Sequence, residues 1–200
     1  MTVTARTRIA WAIAAVVGLA VGATLSSLVV TAVGRPLSPH LGGLLYVGLY
    51  GAVIGCVAGI VQLAVIPRGV ARWYAWPLAS IVGFGAGYVL ASLVGEALGN
   101  ALDPGLNVIL GEGTIEVTAG AVLGVAIGFA QWRVLRHVLP SLKWWLLATA
   151  LGVGLGYGSA AAVLELFEVA VLKANLVPAY GAIVGLFVGV AQAIALRSAP

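Results

Sequence analysis

Six predominantly apolar runs follow one another along this chain of 200 residues, at 9–33, 42–66, 74–102, 116–138, 144–172 and 177–196. A bilayer hydrocarbon core about 30 Å thick is crossed by about 20 residues of helix rising 1.5 Å each, so every run is long enough to span. Hydrocarbon offers nothing to satisfy an exposed N–H or C=O, which leaves the helix as the form such runs take. The breaks carry turn chemistry: Gly34-Arg35-Pro36-Leu37-Ser38-Pro39, Pro67-Arg68-Gly69, Asp103-Pro104-Gly105, Leu139-Pro140-Ser141 and Lys173-Ala174-Asn175. Short turns make consecutive helices antiparallel neighbours, and Pro67 is placed to end the second helix early. The first run is longer than the 7–15-residue apolar core of a secretory signal and reads as a retained helix.

Only 8% of the residues are Asp, Glu, Lys or Arg while 62% are hydrophobic, against about a quarter charged in ordinary soluble domains. A single all-α transmembrane domain over 1–200 follows. The net charge of +4 and pI near 9.6 do not point to nucleic acid, because the basic residues sit singly between apolar runs. Cys56, the only cysteine, excludes an intramolecular disulfide and a cysteine-based metal site.

Cytoplasmic loops of membrane proteins carry the excess of Lys and Arg. Arg6, Arg8, Arg68, Arg72, Arg133, Arg136, Lys143 and Arg197 fall on the side of the N-terminus, leaving Arg35 and Lys173 opposite. This bias predicts a multi-pass protein of the cell (inner) membrane with both termini cytoplasmic. Glu96, Asp103, Glu112, Glu116, Glu165 and Glu168 all belong to the outer half. The tryptophans, Trp11, Trp73, Trp76, Trp132, Trp144 and Trp145, lie toward the cytoplasmic boundary, where indoles are expected with their N–H groups among the lipid headgroups.

An internal repeat is the most specific signal. The even-numbered helices read Gly51-x3-Gly55-x3-Gly59-x2-Gln62, Gly120-x3-Gly124-x3-Gly128-x2-Gln131 and Gly181-x3-Gly185-x3-Gly189-x2-Gln192. The odd-numbered helices begin Trp11-x6-Gly18-x3-Gly22, Trp76-x6-Gly83-x3-Gly87 and Trp145-x6-Gly152-x3-Gly156. Three tandem helical hairpins, at about 8–68, 74–136 and 144–197, are therefore expected around a pseudo-threefold axis along the membrane normal. Glycines four apart open a groove for close helix approach, and three turns later each glutamine falls on the same face. The three amides should share one depth, each bonded to its own neighbouring helix, with convergence of all three on the central axis as the alternative.

Gln131-Trp132-Arg133-Val134-Leu135-Arg136, leading to Trp144-Trp145, resembles the Gln-Trp-x-x-Leu-Arg signature of a loosely defined group of uncharacterised bacterial multi-pass membrane proteins. The resemblance covers the middle junction, implies helical-hairpin repeats and brings no assigned activity. The other two copies keep the glycines and the glutamine and lack the tryptophan after it.

Candidate chemistry is sparse. Glu96 and Glu165 stand at one repeat position, twenty residues after Trp76 and Trp145, which is about 30 Å of helix and so the outer edge of the bilayer. They read as a solvated acidic rim, or as part of a cation-attracting vestibule with Asp103, Glu112, Glu116 and Glu168. Tyr88 and Tyr157 share another position at about mid-depth, where a phenol needs a partner: an interhelical hydrogen bond, or a bound lipid, quinone or pigment. His40 and His137 lie on opposite sides and cannot share a metal. Gly83-x-Gly85-x-Gly87 and Gly152-x-Gly154-x-Gly156 sit within helices and read as packing glycines rather than a nucleotide cradle. No nucleophile has a supporting base and acid, which argues against an enzyme. No cofactor is called for. The expected partners are membrane lipid and a membrane-protein partner or second copy. A structural or accessory subunit is the expected role, with a small channel or carrier as the alternative.

Overall fold

In the computed structural model the described residues are 4–34, 42–66, 74–101, 104–136, 142–166 and 176–197, with side chains described for all but 33–34, 104–113, 142 and 164–166. They form six helices: α1 (Ala5–Val29), which runs on into a π-helical turn (Val30–Gly34), α2 (Gly43–Leu63), α3 (Ala75–Ala101), α4 (Pro104–Leu135), α5 (Leu142–Leu166) and α6 (Val177–Arg197). Each contains a stretch long and apolar enough to cross a membrane, as the sequence pattern requires. Two ends follow local chemistry. Thr4 caps α1 by accepting from the Thr7 N–H at 3.2 Å. Helix α2 stops at Leu63 with its cap at Ala64, shortly before Pro67, whose ring disfavours helical geometry in the preceding residue.

One boundary differs from the sequence reading. Asp103-Pro104-Gly105 reads as a turn, yet α4 begins at Pro104. Proline is well suited to the first helical position, since its missing N–H would have no intrahelical partner there. The fourth helix thus starts well before the apolar span at Thr114–Leu135.

The helices close into a ring in chain order: each packs on its two sequence neighbours, and α6 packs on α1. Glycines permit this. A Cβ on Gly51 would sit 2.5 Å from the Phe84 carbonyl oxygen of α3, one on Gly124 2.6 Å from the Thr149 carbonyl oxygen of α5, and one on Gly185 2.7 Å from the Ala15 carbonyl oxygen of α1. The three-glycine faces of α2 and α4 therefore lie against the next helix in the chain, α3 and α5, and that of α6 against α1. The repeated glycine pairs of the odd helices serve the seam within each hairpin: Cβ atoms on Gly18, Gly83 and Gly152 would meet the Cα atoms of Ala58, Ile127 and Val188 at 2.9, 2.9 and 2.8 Å, whereas Gly85 and Gly154 face α2 and α4 across the seam between hairpins.

Large apolar side chains point away from the ring along successive turns, such as Ile13, Val17, Val21 and Leu25 on α1, Leu147, Leu151 and Leu155 on α5, and Leu186, Val190 and Ile194 on α6. An exposed surface of that kind is stable against lipid rather than water. These are the features of a multi-pass integral membrane protein.

Candidate functional site

The interior of the ring is built in layers from fixed offsets along each helix. Trp11, Trp76 and Trp145, all nearly fully buried, face one another with ring centroids 5.4, 6.2 and 6.4 Å apart and planes at 72–73°. Edge-to-face pairs of this geometry contribute about 0.5–1.5 kcal/mol each beyond their area. A triangle with sides near 6 Å has its centre about 3.5 Å from each centroid (6/√3), no more than one carbon–carbon contact distance. The axis at this level is filled by indole.

A buried indole N–H must find an acceptor, and the glutamines supply it. Trp76 Nε1 donates to Gln62 Oε1 at 3.1 Å and Trp11 Nε1 to Gln192 Oε1 at 3.0 Å. The second of these ties the first helix to the last. One turn after Trp76 and Trp145 stand Ser80 and Thr149, both fully buried. Gln131 Nε2 donates to Ser80 Oγ at 3.3 Å, and Gln192 Nε2 lies 3.1 Å from Thr149 Oγ1 and 3.2 Å from Gln131 Oε1. At the corresponding place after Trp11 stands Ala15. Among the described residues Trp145 Nε1 has no acceptor: the Gln131 carbonyl already receives Gln192, and its amide is turned to Ser80.

Each glutamine is bonded to an adjacent helix, Gln62 and Gln131 to α3 and Gln192 to α1 and α5, and Gln131 and Gln192 also meet each other at the axis. One sequence expectation is corrected: the tryptophans do not form a single interfacial belt. Trp11, Trp76 and Trp145 are core residues, because their repeated position faces the axis. Among the described residues Trp144 is the exposed tryptophan, with the Lys143 ammonium 5.7 Å from its ring centre. Trp73 lies outside the described residues.

Eight residues beyond the tryptophans come Leu19, Phe84 and Val153, and eight before the glutamines come Ile54, Leu123 and Val184. All six are buried in one apolar cluster, the floor of an axial cavity of about 270 Å³. One turn further on, Tyr50, Tyr88, Tyr157 and Tyr180 line it from α2, α3, α5 and α6. Their rings pack edge to face in series, with centroids 5.5, 6.5 and 5.3 Å apart. Tyr157 donates to the Tyr88 hydroxyl at 2.5 Å. Ser26 of α1 anchors the same level by donating to the Tyr50 carbonyl oxygen at 2.7 Å.

Of the residues singled out from sequence, Tyr88 and Tyr157 are thus brought together across the axis. Glu96 is exposed near the end of α3 and does not line the cavity. Glu165 and Glu112 lie in helices whose side chains there are outside the described set, as are Asp103, Glu168, His40 and His137 altogether. Sequence reasoning missed Tyr50 and Tyr180, although a usable signal was present: each directly precedes the first glycine of its even-helix pattern.

Comparison with protein families, curated proteins and solved structures finds no match to this chain.

Proposed function

We propose that this protein is a non-enzymatic structural or accessory subunit of a membrane assembly, held in the cell (inner) membrane with both termini cytoplasmic. Three hairpins about a pseudo-threefold axis form its frame. The near-equal indole separations and the repeated offsets of the interior layers support that frame.

The observation that carries the reading is the filled axis. Conduction needs polar or ionisable groups facing a path through most of the membrane depth. The interior instead runs from the indole–amide layer into six apolar side chains. An ion forced through would shed its hydration against leucine, phenylalanine and valine at a cost of many kcal/mol. The channel alternative loses ground on this point, and a non-conducting helical frame that docks on other subunits gains it.

The test has two readouts. Protein purified in mild detergent from its native membrane is expected to bring defined membrane subunits with it, and purified protein in liposomes is expected to leave an imposed potassium gradient intact. Rapid dissipation of the gradient by a lone oligomer would sink the accessory reading.

A further inference from the structure

We infer that the axial cavity is a binding site for one slender apolar chain bearing a hydrogen-bonding head, the chain on the six-residue floor and the head among the four tyrosines.

The first argument is polarity along the axis. The floor of Leu19, Ile54, Phe84, Leu123, Val153 and Val184 offers a guest no hydrogen bond. The next turn gathers four phenols, whose only mutual hydrogen bond among the described residues runs from Tyr157 to Tyr88. Having accepted there, the Tyr88 hydroxyl keeps its own proton to donate. A water on the floor would lack the two to four polar partners that hold buried water. A dry, apolar end and a hydroxyl-lined end match an amphiphile.

Size narrows the class. An apolar cavity of about 150 Å³ holds benzene, a six-carbon guest, so about 270 Å³ admits in proportion about eleven non-hydrogen atoms, a chain of about ten carbons with one oxygen. Such a chain could belong to a membrane lipid or to a free alcohol, ketone or quinone-like molecule. The recognising chemistry is the same.

The third argument is why there is space at all. Twelve residues after the repeated tryptophan, α3 and α5 carry Tyr88 and Tyr157, and α1 carries Ala23. Ala23 is buried and lines the cavity. A third phenol at this position would fill much of the axis, so the room arises where the first copy departs from the other two. This inference uses the closed axis and does not depend on docking to other subunits.

The test uses the full chain, delipidated in amphipol, with 1-octanol as probe. Wild-type protein should show a saturable rise in Tm. Tyr88→Phe with Tyr157→Phe keeps the shape and should weaken the apparent affinity about three- to tenfold, the worth of about one hydrogen bond. Ala23→Tyr should abolish the shift, and Ala23→Leu, a smaller filling, should reduce it even where the tyrosine variant fails to assemble. For the natural occupant, protein from native membranes is extracted and analysed by mass spectrometry. About one lipid per chain, or about one free small amphiphile, retained by wild type and lost in the filled variants, supports the site and tells the two sources apart. An octanol response that is absent, non-saturable, or unchanged in both filled variants overturns it. Gradient leakage and subunit co-purification would leave this result untouched, so the two proposals fail separately.

Discussion

A buried indole N–H is a liability in a membrane-spanning core, where no water is at hand to receive it. The three axial tryptophans meet that liability unequally. Trp76 and Trp11 each have an amide acceptor, whereas Trp145 has none among the described residues. Replacing any of them with phenylalanine removes similar area, but only at Trp76 and Trp11 does it also strand a buried glutamine carbonyl oxygen. Trp76→Phe should therefore be less stable than Trp145→Phe by about 1–3 kcal/mol, the usual difference between losing a partner and losing nothing. Thermal unfolding in one detergent decides it, and equal melting temperatures would mean the indole–amide bonds do not hold the layer together. The three glutamines at one offset were readable from the sequence as a shared layer. Their partners were not, because tryptophans near a span end look alike whether they face headgroups or an axis, and only the direction around the helix separates the two.

At the scale of the helix, stability rests on how closely backbones approach, since lipid gives apolar side chains no drive to associate. The seam between α6 and α1 closes the ring, and Gly185 sits in it, with a prospective Cβ 2.7 Å from both the Ala15 carbonyl oxygen and the Val16 Cα. Backbone atoms cannot step aside as a flexible side chain can. Gly185→Ala should cost about 1–3 kcal/mol, in the range of overpacking elsewhere. Gly99 is the control: it is exposed near the end of α3 and a Cβ there meets nothing within 4 Å. Gly99→Ala should be neutral or stabilising by up to about 1 kcal/mol, because alanine loses less backbone entropy in a helix. A Gly185→Ala protein that melts with wild type would show that this seam is not what closes the ring. The Gly-x3-Gly spacing reveals a close approach on sight. It does not reveal which neighbour approaches, and the three-glycine faces turn out to join successive hairpins. The start of α4 is hidden in the sequence for a related reason, since Pro104 serves equally well in a turn and as a helix start.

At the scale of the whole molecule, the Trp11–Gln192 bond and the α6–α1 seam bring the two ends of the described chain to the same end of the bundle. That much is independent of the membrane. The cavity was out of reach of sequence reading, because it exists only where side chains from six helices converge and one of them, Ala23, falls short. Orientation is the reverse case: it belongs to loops and charges, several of them outside the described residues, and the sequence remains the better guide. Among the described residues Arg6, Arg8, Arg133, Arg136, Lys143 and Arg197 belong to the end that carries both termini, and translocating them is the step that the positive-inside bias opposes. With Cys56 replaced by serine, single cysteines at Thr2 and Ser198 should therefore be shielded from an impermeant thiol reagent added outside intact cells, while one at Asn107, between the third and fourth spans, should label. All three should react once the membrane is permeabilised. Labelling of both terminal cysteines from outside, with Asn107→Cys protected, would invert the molecule: the tyrosine-lined end of the cavity would then face the cytoplasm, and any amphiphile it holds would have to be sought in the inner leaflet.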